Sequence, residues 1–323
     1  MSEIPESSVT YEQLADLERE FDDVEAEIIR QQVKLSQPLY EKRAVLVAKI
    51  PNFWPLVLEQ APPEVDEYIQ PSDSAILLAS LKSVSVEHFE IDAGGDPRSI
   101  SIKWEFAENE YFEDTVLEKK FWYRHDKSLS WSGLVSEPVE VKWKEGKDLT
   151  EGMLSLVKKV WDEEQAGIKA GKEVKGWTET RNALREKIDA TGMGGVSFFA
   201  WFGFIGRRVS AEESVDADKR ERERRRLRSE GKEVAKEEEE EEEGEEETEE
   251  DIQEELEIFP GGDDLAVAVS EDLWPAAIKH FTLALEQENM SDFDFESDDE
   301  VQDVDIDEVE EDTSAPPKKK AKV

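Results

Sequence analysis

Read as apolar and polar positions, the chain opens on one long stripe. From Tyr11 to Ile50 the apolar residues recur at spacings of three and four. They are Leu14, Leu17, Phe21, Val24 and Ile28, with Gln31 in the next slot and Leu35 after it. This is heptad a/d spacing and predicts a single long helix of the coiled-coil kind. Thr10 followed by Gln13 fits a capping box at its start. At about 1.5 Å per residue the helix approaches about 60 Å, longer than a small domain is wide. Its narrow stripe is therefore expected to bury itself on a second copy of the chain. The polar Gln31 would fix the register of that seam, Pro38 would kink the helix, and Pro51 would end it.

The pattern then changes. "IPNFWPLVLEQAPP" gathers Phe53, Trp54, Leu56, Val57 and Leu58 between prolines and reads as a short docking helix. Asp73 to Ser83 reads as another, with Asp73 as its cap. Period-2 alternation follows. Val84 and Val86 form one strand. A Gly-Gly turn in "AGGDPR" leads to Ile100, Ile102, Trp104 and Phe106. Leu117, Lys119, Phe121 and Tyr123 share a face of a third strand, and Val139, Val141 and Trp143 alternate in a fourth. Four strands on short connections predict an antiparallel sheet with one buried face, and the flanking helices make the class α+β. Asp148 to Ala190 is helical, with Leu154, Val157, Val160 and Trp161 as its apolar stripe. "SFFAWFGFIG" belongs to the core. The partition expected is 1–10 disordered, 11–50 the long helix, 51–210 the α+β domain and 211–262 a charged low-complexity insertion. A C-terminal helix over 263–290 and an acidic disordered tail over 291–323 complete it.

Charge changes this picture only at one end. The net charge is -42 over 323 residues, and Glu237 to Asp312 holds about 35 acidic residues against one lysine. The chain before Glu237 is only mildly acidic and carries eight of the nine tryptophans, enough apolar surface for a core. So acidic a chain suits a basic partner and argues against strong direct DNA binding, since phosphate contacts need lysine and arginine. There is no cysteine, hence no disulfide or thiolate metal site. The N-terminus lacks the pattern of a secretory signal, and no apolar run is long enough for a membrane span.

The chemical inventory is thin. His88, His125 and His280 lie far apart with no metal-ligand spacing. No serine stands in a nucleophile elbow, and "GMGG" lacks the lysine of a phosphate loop. Nothing here argues for an enzyme, a cofactor or a metal.

Several blocks resemble a known family. "QPLYEKRAVLVAKIPNFW" is similar to the end of the long dimerisation helix of the nucleosome assembly protein family, in its SET (template-activating factor) branch. "WEFAENEYFEDTVLEKKF", "VKWKEGKDLT", "SFFAWF" and "DLWP" resemble later motifs of that branch, in the same order, over roughly Tyr11 to Phe281. The stretches Glu151–Ala190 and Ala211–Glu257 are longer than in animal members and look like the fungal ones. The resemblance implies a homodimer shaped like headphones, each long helix bearing an α+β "earmuff". It also implies an ATP-independent histone chaperone that binds core histones and acts in nucleosome assembly and disassembly. Glu105, Glu108, Glu110, Glu113 and Asp114, around the "ENEYFED" loop, are the carboxylates expected to meet histones. Leu14, Leu17, Phe21, Val24, Ile28, Gln31 and Leu35 are expected to form the dimer seam.

Two further functions stay open at this level. SET relatives are linked to inhibition of a protein phosphatase and to regulation of a histone acetyltransferase, and a purely structural acidic dimer would carry the same charges. The chain ends in "PPKKKAKV". Pro317, Lys318, Lys319, Lys320 and Lys322 have the form of a nuclear-import signal for an import receptor, which predicts a nuclear protein.

Overall fold

The computed structural model describes residues 9–172, 174–191, 195–230 and 248–296. The acidic run 231–247, most of the acidic tail and the basic C-terminal signal lie outside the described residues, as does nearly all of the segment expected to be disordered at the N-terminus. The chain divides into two compact units, Met1–Ala284 and Leu285–Val323. Within the second, the described residues are helical.

Helix α1 runs from Tyr11 to Val47. The Thr10 hydroxyl accepts from the Gln13 backbone, and the Gln13 side chain accepts from the Thr10 N–H, so the capping box is present. The helix continues unbroken through Pro38 and stops three residues short of Ile50. Its C-terminal end docks through Arg43, whose guanidinium donates to the carbonyls of Trp274 at 2.5 Å and Pro275 at 3.1 Å. That guanidinium also lies 4.7 Å from the ring centroids of Tyr40 and Trp274. Trp274 in turn donates its indole N–H to Val84, tying helix to sheet.

Three short helices follow, α2 (Phe53–Glu59), α3 (Pro63–Asp66) and α4 (Pro71–Ser80). Asp73 is not the cap of α4, as the sequence suggests; Gln70 is, and Asp73 sits three residues in. The reason is tertiary. Asp73 is fully buried and accepts from Ser197 Oγ at 2.6 Å and from Phe198 N at 2.7 Å, so it anchors the "SFFAWF" segment. Burial raises its pKa, and these hydrogen bonds oppose the shift.

The sheet is antiparallel in the order β1 (Leu81–Glu87), β2 (Ile100–Phe106), β3 (Val116–His125), β4 (Ser132–Ser136). Two expectations need correction. The Gly-Gly pair lies within the longer connection 88–99 rather than forming a two-residue turn. The fourth strand is Ser132–Ser136, not the alternating "VEVKWK". That segment spends its hydrogen bonds elsewhere. Val139 N donates to Phe202 O, and Trp143 forms only an isolated bridge with Phe112. In β4, Leu134 and Val135 are both buried, so the strand shows no alternation to read.

The inner face of the sheet carries Val84, Val86, Ile102, Trp104, Phe106, Leu117 and Phe121. Against it packs a 3₁₀ turn, Phe198–Gly203, whose side chains are wholly buried. Trp104 meets Phe198 edge-on at 5.2 Å, and Phe121 stacks on Trp201 at 5.4 Å. Gly203 lets Ile258 and Leu154 pack close, since a Cβ there would stand 2.7 Å from Ile258 Cδ1 and 3.1 Å from Leu154 Cδ1. Helices α5 (Met153–Lys169) and α6 (Glu179–Thr191) close this side, burying Leu154, Val157, Val160 and Leu184.

The charged insertion is ordered at both ends, as α7 (Ala211–Ser229) and α8 (Glu249–Glu255). The first packs on β3 and so is not a free solvated run. The second is held by buried Arg181, which reaches Glu249 at 3.0 Å and Glu164 at 3.0 Å. Helix α9 (Gly262–Ala268), a π-helical turn (Val269–Leu273) and α10 (Ala277–Glu296) complete the chain.

Candidate functional site

Three surfaces hold the residues that matter. The first is the loop between β2 and β3. Asn109 Oδ1 accepts from the backbone N–H groups of Tyr111 and Phe112, which curls the loop, and Phe112 is buried as its anchor. Glu108, Glu110 and Glu113 are exposed along it, and Glu105 is exposed on the neighbouring end of β2. Asp114 differs from them. It accepts from Lys142 N at 2.7 Å and lies 3.6 Å from Lys142 Nζ. Lys144 donates to Asn109 O, and Lys147 sits 5.1 Å from the Tyr111 ring centroid. The loop thus brings three of the five expected carboxylates together, with Glu105 adjacent, but sets three lysines beside them.

The second surface was not legible in the sequence. A groove of about 500 Å³ opens between the stretch after α3, Val196 and the stretch before α9. Tyr68 and Phe259 form its aromatic floor, with ring centroids 4.9 Å apart, and Pro260 lines its side. Gly261 makes the closure possible: its φ is +76°, and a Cβ there would lie 2.8 Å from Tyr68 Oη and 3.6 Å from Asp264 Oδ2. Burial raises the Tyr68 pKa, and Glu67, Asp264 and Asp263 push it further up. Asp263 is likewise raised, by burial first and then by Asp264 beside it. Glu64 and Asp66 add charge from α3. Among the described residues none of these five carboxylates pairs with a lysine or arginine. The doublets "DEY" and "GDD" were visible in the chain, but almost 200 residues separate them and only folding brings them together.

The third surface is α1 itself. Leu14, Leu17, Phe21, Val24, Ile28 and Leu35 are between 49% and 75% exposed, and Leu39 and Leu46 continue the stripe. Gln31 is exposed among them and donates to Glu27. Ala26, Arg43 and Val47 of the same helix are buried on the chain's own domain.

No group of His, Asp and Glu with metal-binding geometry occurs among the described residues. None of the described helices is long and apolar enough to cross a membrane. Pro317, Lys318, Lys319, Lys320 and Lys322 fall outside the described residues.

A long helix with an open apolar stripe, bearing an α+β domain with uncompensated carboxylates, defines an acidic, helix-borne binding domain. The chain belongs to the nucleosome assembly protein (NAP) family, whose sequence profile matches residues 46–284. It is 39% identical over 153 residues to a Schizosaccharomyces pombe protein described as a "putative nucleosome assembly protein", covering 45% of this chain and 61% of that one. It is 37% identical over 125 residues to Protein SET of Drosophila melanogaster, covering 38% and 44%. The chain therefore spans roughly half the length of these curated relatives. Among solved structures, Ccp1 matches with a TM-score of 0.50 at 26% identity, over 85% of this chain and 95% of that one. Vps75 matches with a TM-score of 0.51 at 21% identity, over 84% and 96%, which places the fold.

Proposed function

We propose that the protein is a histone chaperone that works as a homodimer and guides core histones on and off DNA without ATP. The observation that carries this reading is the groove at Tyr68 and Phe259, lined by Glu67 with Asp263 and Asp264 near Tyr68 and none of the three paired with a lysine or arginine among the described residues, on a nucleosome assembly protein fold. Histones are basic and bind DNA largely through phosphates. A competitor must offer carboxylates on a shaped surface, where apolar walls raise the local field. Glu105, Glu108, Glu110 and Glu113 form a second, weaker contact region, and Asp114 supports the loop through Lys142. The acidic C-terminal tail adds long-range attraction and speeds encounter.

The dimer forms along α1. The charges on the helix support an antiparallel pairing. Its N-terminal half carries Glu12, Asp16, Glu18, Glu20, Asp22, Asp23, Glu25 and Glu27 against Arg19, whereas its C-terminal half carries Arg30, Lys34, Lys42 and Arg43 against Glu41. Antiparallel pairing sets Leu14 against the partner's Leu46, Phe21 against the partner's Leu39 and Val24 against the partner's Leu35. Gln31 then lies beside the twofold axis. Nuclear entry is assigned to the basic end of the chain; removing Lys318 to Lys322 should leave the protein in the cytoplasm.

The deciding experiment mixes the purified protein with core histones and DNA at physiological salt, without ATP. Nucleosome formation, read by micrococcal nuclease protection, is the expected result. Failure to bind core histones or to prevent their precipitation on DNA would overturn the reading.

A further inference from the structure

Helix α7 buries little apolar surface and is tied to its neighbours by several ion pairs. Ala217 is its one fully buried apolar side chain among the described residues. Hydrogen bonds and ion pairs join it to its neighbours at both ends. At its N-terminal half, Ser214 Oγ accepts from His125 N at 3.0 Å, and Lys127 Nζ reaches Glu213 at 2.9 Å. Asp218 lies 3.8 Å from His125 Nε2, and Arg220 donates to Lys127 O. At its C-terminal half, the contacts pass to α1. Arg19 Nη1 lies 2.6 Å from Glu221 Oε1, and Arg225 Nη1 lies 3.0 Å from Asp23 Oδ2. The Glu221 side chain is 6% exposed, so this carboxylate has left water for its arginine partner.

The helix therefore bridges the end of β3 and the N-terminal half of α1, the part of that helix farthest from Arg43 and Val47. Helix α8 differs, since it buries Ile252 and is followed by buried Leu256. Apolar burial holds α8 whatever the salt, because the hydrophobic effect carries no charge to screen. Ion pairs at a surface respond to salt.

We infer that α7 is an ion-latched strap. It clamps the N-terminal half of α1 to the end of β3 at low ionic strength and lets go as salt screens the more exposed pairs Asp23–Arg225 and Lys127–Glu213. Arg19 and Asp23 face away from the stripe that holds Leu17, Phe21 and Val24. Release thus frees the back of α1 and leaves its apolar seam intact.

Hydrogen exchange on the full chain tests this, with mass-spectrometric readout at 0.05 M and 0.5 M NaCl. The screening length falls from about 14 Å to about 4 Å between these salts. Amides of α7 should exchange about tenfold faster at the higher salt, while those of β2 and β3 stay unchanged. Glu221→Arg, which faces Arg19 with a like charge, should release α7 at both salts. Adding Arg19→Glu to it reverses the pair and should restore low-salt protection. Equal α7 protection at the two salts would overturn the strap. So would a Glu221→Arg chain in which β2 and β3 also lose protection, since α7 would then be part of the cooperative fold.

Discussion

Lys119 shows how one residue can be seen in the sequence and still be misjudged. Alternation put it on the face shared with Leu117 and Phe121, and it is indeed fully buried there. Its Nζ donates to the carbonyls of Glu137 at 3.0 Å, Phe202 at 3.1 Å and Phe204 at 2.9 Å. The ammonium form serves all three acceptors, and the neutral amine only two. Burial draws its pKa down from 10.5 to about 7. Between those values the unfolded chain binds the proton and the folded chain does not, so stability should rise with pH across that window. Urea denaturation at pH 7 and pH 9 should show this slope in the native chain and lose it in Lys119→Met. That variant leaves three buried carbonyls without donors and should cost about 2–4 kcal/mol at pH 7.

At the scale of elements, period decides what can be read. The seam of α1 repeats over five turns with a capping box before it, so propensity, pattern and cap agree. The stripe is exposed on the single chain, which makes its variants clean: Leu17→Glu, Val24→Glu and Ile28→Glu together should yield a folded monomer in sedimentation. An intact dimer would remove α1 as the interface. Orientation has its own test. Glu25→Lys should weaken the dimer about tenfold by opposing the partner's Lys34, and adding Lys34→Glu should restore it. The fourth strand went the other way. "VEVKWK" alternates because Val141 is buried and Val139 and Trp143 pack on the core, yet its N–H groups pair with a loop and a turn. Period reports burial by face; it does not report where hydrogen bonds go.

At the scale of the whole molecule, charge is divided among surfaces with different partners. The β2–β3 loop was the natural reading of "ENEYFED", but Lys142, Lys144 and Lys147 fold beside it. Among the described residues no lysine or arginine lines the groove. Neutralising Glu67, Asp263 and Asp264 as Gln and Asn should lower core-histone affinity about tenfold at physiological salt. Neutralising Glu108, Glu110 and Glu113 should lower it about threefold, and fluorescence titration would rank the two. A larger loss from the loop would return the main contact to the β2–β3 hairpin. A chain ending at Met290 should bind more weakly at low salt and still bind, because the groove remains; unchanged binding at every salt would leave the tail without a role.

The sequence alone determined what is local or periodic: the helix with its cap and seam, the α+β class, the buried "SFFAWF" and the gathering of negative charge late in the chain. Each depends on neighbours within a few turns, where side-chain spacing and geometry are set by the backbone itself. Tertiary structure decided what depends on pairs far apart. It gave Asp73 the partners Ser197 and Phe198 as well as its own helix end, made β4 from a segment with no alternation and set α7 against α1. It also joined Glu67 and Tyr68 to Asp263 and Asp264 across a glycine that leaves room for the contact. Whether a carboxylate is free to bind a partner depends on which cations fold beside it, and no spacing along the chain records that.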